Sequence, residues 1–190
     1  MVKERFFMRV ISGASRGKKL IALDSQNTRP TLDRVKEALF NIIQNKVRDS
    51  VVLDLFSGTG ALGIEALSRG AKEAVFCDNS KDAIKVITKN IENTKNLEKS
   101  IIINKDYNEA LEKLSNKKFD LVFLDPPYKT NFVIIAIQKI IMSNLLTEDG
   151  IVIVETDDIT KENEILKIQN IEIFDKRKYG SVWLIFIRKG

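Results

Sequence analysis

From residue 51 onward the chain alternates short apolar runs with amphipathic stretches, and this pattern constrains the fold more than any other feature of the sequence. Nearly continuous apolar runs are typical of strands buried on both faces, and helices between such strands form the crossovers of a parallel sheet. We therefore predict an α/β fold built on a mostly parallel sheet. The predicted strands are 51–56, 74–77, 101–103, 121–124 and 151–154, and the predicted helices are about 60–69, 80–97, 107–115 and 130–145.

The two ends of the chain depart from this alternation. Residues 8–23 alternate weakly around two glycine turns, which predicts a small β-hairpin. The sequence Arg29-Pro30-Thr31 predicts the start of a helix with Thr31 as its N-cap. Near the C-terminus, the runs 171–174 and 182–187 predict an antiparallel hairpin joined by a charged turn through residues 176–180. We expect an extension with a basic hairpin over residues 1–28 and an α/β domain over residues 29–190.

The composition excludes several kinds of chemistry. The 190 residues include no histidine and a single cysteine, Cys77. Ser-His-Asp and Cys-His catalysis, histidine-containing metal sites and a disulfide within the chain are therefore excluded, and we predict no metal site. No apolar run reaches the roughly 18 residues of a membrane helix, and no secretion leader opens the chain. We expect a cytoplasmic protein whose chemistry uses carboxylates, backbone groups, lysine, tyrosine or a cofactor.

Positive charge is concentrated at the N-terminus. The formal net charge is +5, and residues 1–50 carry 11 Lys and Arg against 5 Asp and Glu. Such a surplus fits a polyanionic partner, RNA or DNA. A solvated basic face without a partner explains the charge equally well at this point.

A glycine-rich loop follows the first predicted strand of the α/β domain. Gly58, Gly60 and Gly63 have the spacing G-x-G-x-x-G between a strand and a helix, which predicts a ligand-binding loop and also matches the dinucleotide-binding pattern. Asp78, at the end of the next strand, is placed to accept hydrogen bonds from ribose hydroxyls. Asp54 beside the loop would oppose a pyrophosphate and favour the cationic methionine part of S-adenosylmethionine over NAD. Alternatively, Asp54 points elsewhere and only fixes the loop.

The most specific motif is Asp125-Pro126-Pro127-Tyr128, directly after the strand ending at 124. Two prolines stiffen this turn and remove two N–H donors, so most of the hydrogen-bonding groups left in its backbone are acceptors. Asp125 and the Pro126 carbonyl could hold the two hydrogens of an exocyclic base amine, and Tyr128 could stack on the base. Two acceptors would free the lone pair of this poor nucleophile for methyl transfer by in-line displacement. The alternative is a rigid turn whose tyrosine packs on its neighbours.

These motifs together resemble those of the S-adenosylmethionine-dependent amino-methyltransferases. The N-terminal segments at residues 9–13, 16–20 and 29–41 are similar to the bacterial RsmD type, as are the residues 60–71 and the pair Tyr179-Gly180. The resemblance extends from about residue 8 to the C-terminus. Enzymes of this type methylate N2 of a guanine in 16S rRNA. The resemblance implies a Rossmann-like class I methyltransferase fold, with a seven-stranded mostly parallel sheet, an antiparallel C-terminal hairpin and a small N-terminal β-hairpin.

The resemblance also implies the functional residues. The target guanine, number 966 of the 16S rRNA in this family, would lie against the catalytic turn Asp125, Pro126, Pro127 and Tyr128. The substrate would be 16S rRNA within the small subunit or an assembly intermediate, and nothing requires more than a monomer. The residues expected to bind S-adenosylmethionine, which leaves as S-adenosylhomocysteine, are Thr31, Asp54, Phe56, Ser57, Gly58, Thr59, Gly60, Asp78, Asn79, Asp106 and Tyr107. The residues expected to bind RNA are Arg9, Arg16, Lys18, Lys19, Arg29 and Arg34.

Other functions stay open on the sequence. The same turn could serve an amino-methyltransferase acting on adenine N6 of DNA or RNA, or on a protein glutamine. An RNA-binding assembly factor without catalysis would keep the basic surface but would not need Asp125. An NAD-dependent enzyme would leave the Asp125–Tyr128 turn without a task. Residues 1–7 lie outside the resemblance, and no role is assigned to them.

Overall fold

The computed structural model describes residues 6–23, 30–126 and 131–190, with the backbone alone described at residues 6, 7 and 30–32. These residues form two sheets with helices on both faces of the larger one. In chain order the elements are β1 (Phe6–Arg9), β2 (Lys19–Ile21), α1 (Pro30–Ile42), α2 (Gln44–Val47), β3 (Val51–Asp54), α3 (Ala61–Ser68), β4 (Glu73–Asp78), α4 (Lys81–Thr94), a 3₁₀ turn (Leu97–Lys99), β5 (Ser100–Asn104), α5 (Tyr107–Lys113), β6 (Phe119–Leu124), α6 (Phe132–Met142), β7 (Leu146–Thr156), α7 (Thr160–Ile165), β8 (Ile171–Tyr179) and β9 (Val182–Lys189).

The larger sheet has seven strands in the order β5-β4-β3-β6-β7-β9-β8. Strands β3 to β7 pair in parallel, and β9 runs antiparallel to both β7 and β8. The strand order reverses direction between β3 and β6, which makes this point a topological switch. In open α/β sheets ligands bind outside the carboxyl ends of the strands at such a switch. The predicted α/β fold, seven-stranded sheet and closing hairpin are confirmed.

The sheet separates two hydrophobic cores. Leu121 and Phe123 of β6 enter one core, and Val122 and Leu124 of the same strand enter the other. Both sides of the strand are therefore buried, which explains why its sequence is apolar without alternation. This arrangement fixes the end of β6 within the sheet.

The N-terminal hairpin, β1 paired with β2, packs on helices α3 and α4. The Glu65 carboxylate of α3 accepts hydrogen bonds from the backbone N–H groups of Ile11 and Ser12, at 2.8 and 3.0 Å. Leu20 is fully buried in the core that the sheet shares with α1. Gly13 has φ +83°, and a Cβ there would lie 1.8 Å from the Ser68 carbonyl oxygen, so this close approach requires glycine. The hairpin is thus fixed beside the main sheet, whereas the division at residue 28 stays a prediction.

Two local predictions are wrong. Helix α1 begins at Pro30, so Thr31 lies inside the first turn and is not its N-cap; proline suits the first helical position because it has no N–H to leave unpaired. The basic residues 176–178 and Tyr179 belong to strand β8 rather than to a turn, and the chain reverses at Gly180 and Ser181. Strand β8 is the edge of the sheet, where charged side chains are tolerated and hinder edge-to-edge pairing.

Candidate active site at the carboxyl ends of the strands

A cavity of about 1140 Å³ lies over the carboxyl ends of the five parallel strands β3 to β7. It exceeds the roughly 300–1,000 Å³ typical of a pocket for one small ligand. Residues at or after the ends of these five strands line it, together with parts of the N-terminal hairpin, α1 and the turn before β9. The structure therefore brings the glycine loop, Asp125 and Pro126 to one cavity.

The glycine loop is held in place by hydrogen bonds with the ends of two strands. The Ser57 hydroxyl donates to the Asp54 carbonyl at 2.7 Å, and the Ser57 N–H donates to the Cys77 carbonyl at 2.9 Å. Gly58 and Gly60 have φ of 55° and 78°, a backbone conformation that residues other than glycine rarely adopt. Gly60 ends the loop at the N-cap of α3 and does not line the cavity. Four of the predicted cofactor residues in this loop do line it: Phe56, Ser57, Gly58 and Thr59.

Asp54 combines the two roles that the sequence left open. Its Oδ2 accepts a hydrogen bond from the Gly63 N–H at 3.0 Å, so the carboxylate fixes the loop to the start of α3. The same residue also lines the cavity. Burial raises the pKa of Asp54 to about 7, and the carboxylates of Asp125 and Asp78 add to this rise. A cationic ligand group would stabilise the ionised form, whereas a phosphate would meet electrostatic repulsion.

Asp78 ends β4 on the opposite side of the glycine loop. Its Oδ2 accepts from the Gly58 N–H and its Oδ1 from the Ser80 N–H, both at 2.9 Å. These bonds orient the carboxylate, and each oxygen keeps a lone pair that can accept from a hydroxyl. Asn79 lines the cavity beside it. The arrangement suits a ribose diol.

Asp106, a predicted cofactor-binding residue, is the N-cap of α5. Its Oδ1 accepts from the N–H groups of Asn108 and Glu109 at 2.8 and 3.2 Å. Asp106 also lines the cavity, and Tyr107 follows it there as the first residue of the helix. The Tyr107 ring lies 5.5 Å from the Phe56 ring and 5.0 Å from the Phe132 ring, between centroids. The three rings form an aromatic wall beside the carboxylate.

Asp125 and Pro126, after β6, line the cavity as well. Asp125 is half-buried, and desolvation raises its pKa to about 7. Pro127 and Tyr128, the other half of the predicted catalytic turn, lie outside the described residues, as does Arg29. Only the backbone of Thr31 is described. Among the described residues, no group of three or more Cys, Asp or Glu side chains is placed to hold a metal ion.

The predicted RNA-binding residues that the structure describes lie on the hairpin and α1, beside the cavity. Arg9, Arg16, Lys19 and Arg34 are exposed, and Lys18 is half-buried. Arg9 lies 3.5 Å from Asp33, which itself lines the cavity, and the Lys18 ammonium donates to the Asn93 carbonyl at 2.6 Å. These two contacts leave much of the basic surface facing solvent.

Sequence reasoning missed several residues that line the cavity. Glu155 is 8% exposed near the end of β7. Lys36 of α1 is buried, donates to the Arg9 carbonyl at 2.7 Å and lies 3.4 Å from a Glu65 carboxylate oxygen. Phe132 opens α6. Glu155 directly follows the predicted strand 151–154, and this local signal could have found it. No local motif marks Lys36 or Phe132, because each reaches the cavity through the packing of elements distant in sequence.

Comparisons with known proteins agree with this architecture. The family model described as Conserved hypothetical protein 95 matches residues 8–188. Ribosomal RNA small subunit methyltransferase D of Haemophilus influenzae is 39% identical over 177 residues, covering 92% of this chain and 90% of that protein. The protein of the same name from Escherichia coli K12 is 34% identical and covers 79% of this chain and 75% of its own.

Solved structures give the same result for the fold. A candidate methyltransferase from Escherichia coli superposes with a TM-score of 0.82 at 27% identity and covers 96% of this chain and 97% of its own. In the described parts of the chain, no helix is long and apolar enough to cross a membrane. On the extent of these matches, the chain belongs to the RsmD family, that of the bacterial Ribosomal RNA small subunit methyltransferase D proteins.

Proposed function

We propose that this protein transfers a methyl group from S-adenosylmethionine to the exocyclic N2 amine of a guanine in 16S rRNA. The observation that supports this most directly is the shared cavity: Asp125 lies in the same space as the glycine loop and Asp78. An acceptor for a base amine is thus combined with a binding site for a nucleoside cofactor. The names of the relatives support the small ribosomal subunit as the substrate, and the family resemblance suggests guanine 966.

S-adenosylmethionine is the cofactor, and the residues around the glycine loop fit it. Asp78 would hold the ribose hydroxyls, and Asp106 with the aromatic wall would hold the adenine. Asp54 would favour the cationic methionine part, together with the first turn of α1. A pyrophosphate, by contrast, would face the carboxylates of Asp54, Asp78 and Asp125, which disfavours the NAD alternative. When bound, the cofactor supplies an electrophilic methyl group on a sulfonium.

Asp125 and the Pro126 carbonyl would act on the nucleophile. The lone pair of an exocyclic amine is delocalised into the base, so the amine reacts poorly. Two acceptors that hold its hydrogens localise that lone pair and fix its direction, and such preorganised electrostatics commonly provide the larger share of a rate enhancement. Because its pKa is about 7, Asp125 can also accept the proton that the amine loses. Tyr128 would stack on the base.

RNA would be positioned by phosphate contacts with the basic hairpin and α1, while the target base enters the cavity. The exposed cations Arg16, Lys19 and Arg34 lie on the elements that border the cavity. We infer that the protein acts as a cytoplasmic monomer on the small subunit or on an assembly intermediate.

The test is incubation of the protein with radiolabelled S-adenosylmethionine and small subunits that lack the modification, followed by nucleoside analysis. The expected product is N2-methylguanosine at a single site. N6-methyladenosine would show that the target base is wrong, and cofactor binding without any label in RNA or protein would indicate a non-catalytic assembly factor. Naked 16S rRNA in a parallel reaction shows whether the assembled subunit is required.

A further inference from the structure

We propose that Glu155 is a specificity-determining residue that accepts a hydrogen bond from the ring N1–H of the target base and thereby selects guanine over adenine-like bases. The inference rests on the proposed function, because it concerns the base that occupies the cavity beside Asp125. It starts from a buried carboxylate that has no partner among the described residues.

Glu155 is 8% exposed and lines the cavity, yet it makes no hydrogen bond or ion pair with any residue that the structure describes. Glu65 provides the comparison within the same chain. It is also buried, but it accepts from the N–H groups of Ile11 and Ser12 and pairs with Arg69 at 2.8 Å. A buried carboxylate with a structural role is normally satisfied in this way, because an unpartnered one is costly. Glu155 therefore has acceptor capacity that the described part of the chain does not use.

The sheet places this unused acceptor beside Asp125. Leu124 of β6 pairs in parallel register with Val154 of β7, so the next residues on the two strands, Asp125 and Glu155, are neighbours at the same end of the sheet. Both line the cavity. Burial raises the pKa of Glu155 to about 8, and the charge of Asp125 adds to the rise. Two neighbouring carboxyl groups thus face this part of the cavity. A ligand N–H that donates to Glu155 would favour its ionised form and lower its pKa again.

The edge of guanine supplies two adjacent donors, the N2 amine and the ring N1–H. In adenine the ring nitrogen beside the exocyclic amine is an acceptor instead. With the N2 amine held by Asp125, the neighbouring position on the ring lies toward the adjacent strand end. A carboxylate there gains a hydrogen bond from guanine, whereas it meets a lone pair in an adenine-like base. A site built to hydrogen-bond its ligand strongly rejects an analogue that lacks the hydrogen-bonding group. An apolar pocket discriminates much less between ligands that differ only in size.

The test uses RNA in which the target guanine is replaced by 2-aminopurine. 2-Aminopurine keeps the exocyclic amine at C2 but has a lone pair in place of the N1–H. We expect the kcat/KM ratio of guanine to 2-aminopurine to fall at least about tenfold in Glu155→Gln, because the amide can donate to that lone pair. Both bases are measured with both the wild type and the variant. The intrinsic difference in reactivity between the two amines is the same for both proteins, so it cancels in this comparison.

Asp157→Asn is the matched control, because it removes a carboxylate from an exposed part of the same cavity wall, and it should leave the ratio unchanged. If Glu155→Gln lowers the rates with both bases equally, or leaves both unchanged, the proposal is wrong. If the variant is inactive, the affinities for the guanine and 2-aminopurine RNAs are measured in the presence of S-adenosylhomocysteine, and their ratio is compared between variant and wild type. If the wild type methylates neither RNA nor intact subunits, the proposed function itself fails.

Discussion

The Asp78 Oδ2 accepts a hydrogen bond from the Gly58 N–H at 2.9 Å, so the end of β4 and the glycine loop after β3 are joined through one carboxylate. We expect Asp78→Ala to weaken S-adenosylmethionine binding by at least about tenfold, because the alanine neither accepts from the ribose nor holds the loop. RNA affinity should change much less. Isothermal titration with each ligand measures the two effects. A larger loss of affinity for RNA than for the cofactor would remove Asp78 from the cofactor site.

Asp125 is expected to contribute to turnover rather than to cofactor binding. Asp125→Ala should reduce kcat by roughly 100- to 1,000-fold, as loss of one preorganised electrostatic group does, and leave the affinity for S-adenosylmethionine nearly intact. Single-turnover methylation and calorimetry separate the two quantities. Asp82→Asn is the control, since this carboxylate is exposed on α4 and its ion pair in the described structure is with Lys85. A variant at Asp125 that is as active as the wild type would refute the assigned role.

Three desolvated carboxylates at the cavity should make the free protein less stable as the pH rises. The pKa values of Asp54 and Asp125 are raised to about 7 and that of Glu155 to about 8, from roughly 4 in an unfolded chain. Between about pH 4 and pH 8 the folded state therefore binds more protons than the unfolded state, and the free energy of unfolding falls with increasing pH.

Thermal melting of the cofactor-free protein between about pH 4 and pH 8 measures how steeply the free energy of unfolding changes with pH. Glu155→Gln should flatten this slope, because the amide does not titrate, whereas Asp82→Asn should preserve the slope. A free energy of unfolding that rises between pH 5 and pH 8 would show that these carboxylates are not desolvated in solution.

Charge reversal on the hairpin tests the RNA surface. Arg16→Glu with Lys19→Glu should weaken RNA binding and flatten its dependence on salt by about 0.7–0.9 in log–log slope for each phosphate that is no longer neutralised. Both side chains are exposed, so the hairpin should keep its hydrogen bonds with Glu65. Reversal of Lys99, near the opposite end of the sheet before β5, serves as the control. Equal salt slopes for the double variant and the wild type would exclude the hairpin from the RNA interface.

The strands and most of the cavity could be predicted because short segments of the sequence are enough to recognise them. Asp54, Gly58, Asp78 and Asp125 each follow a recognisable apolar run, and the carboxyl ends of parallel strands meet at one edge of a sheet. Glu155 follows the apolar run 151–154 in the same way, so its place at this edge of the sheet could also have been predicted. Its position directly beside Asp125 could not, because that depends on the register between β6 and β7.

The C-terminal hairpin shows a second limit. A run of charged residues from 176 to 178 is typical of a turn, and only the position of β8 at the sheet edge makes it a strand. As a result Lys178 lies over the Trp183 ring at 5.0 Å, and Ser181 and Val182 reach the cavity. Sequence spacing alone gives no indication of these long-range contacts.

The most direct measurement of the central claim is a structure of the protein with S-adenosylhomocysteine and an RNA fragment that contains the target guanine. We predict that both occupy the cavity over β3 and β6, with the guanine N2 between Asp125 and the cofactor sulfur and with N1 facing Glu155. A guanine bound outside this cavity, or one whose N2 points away from the sulfur, would contradict it.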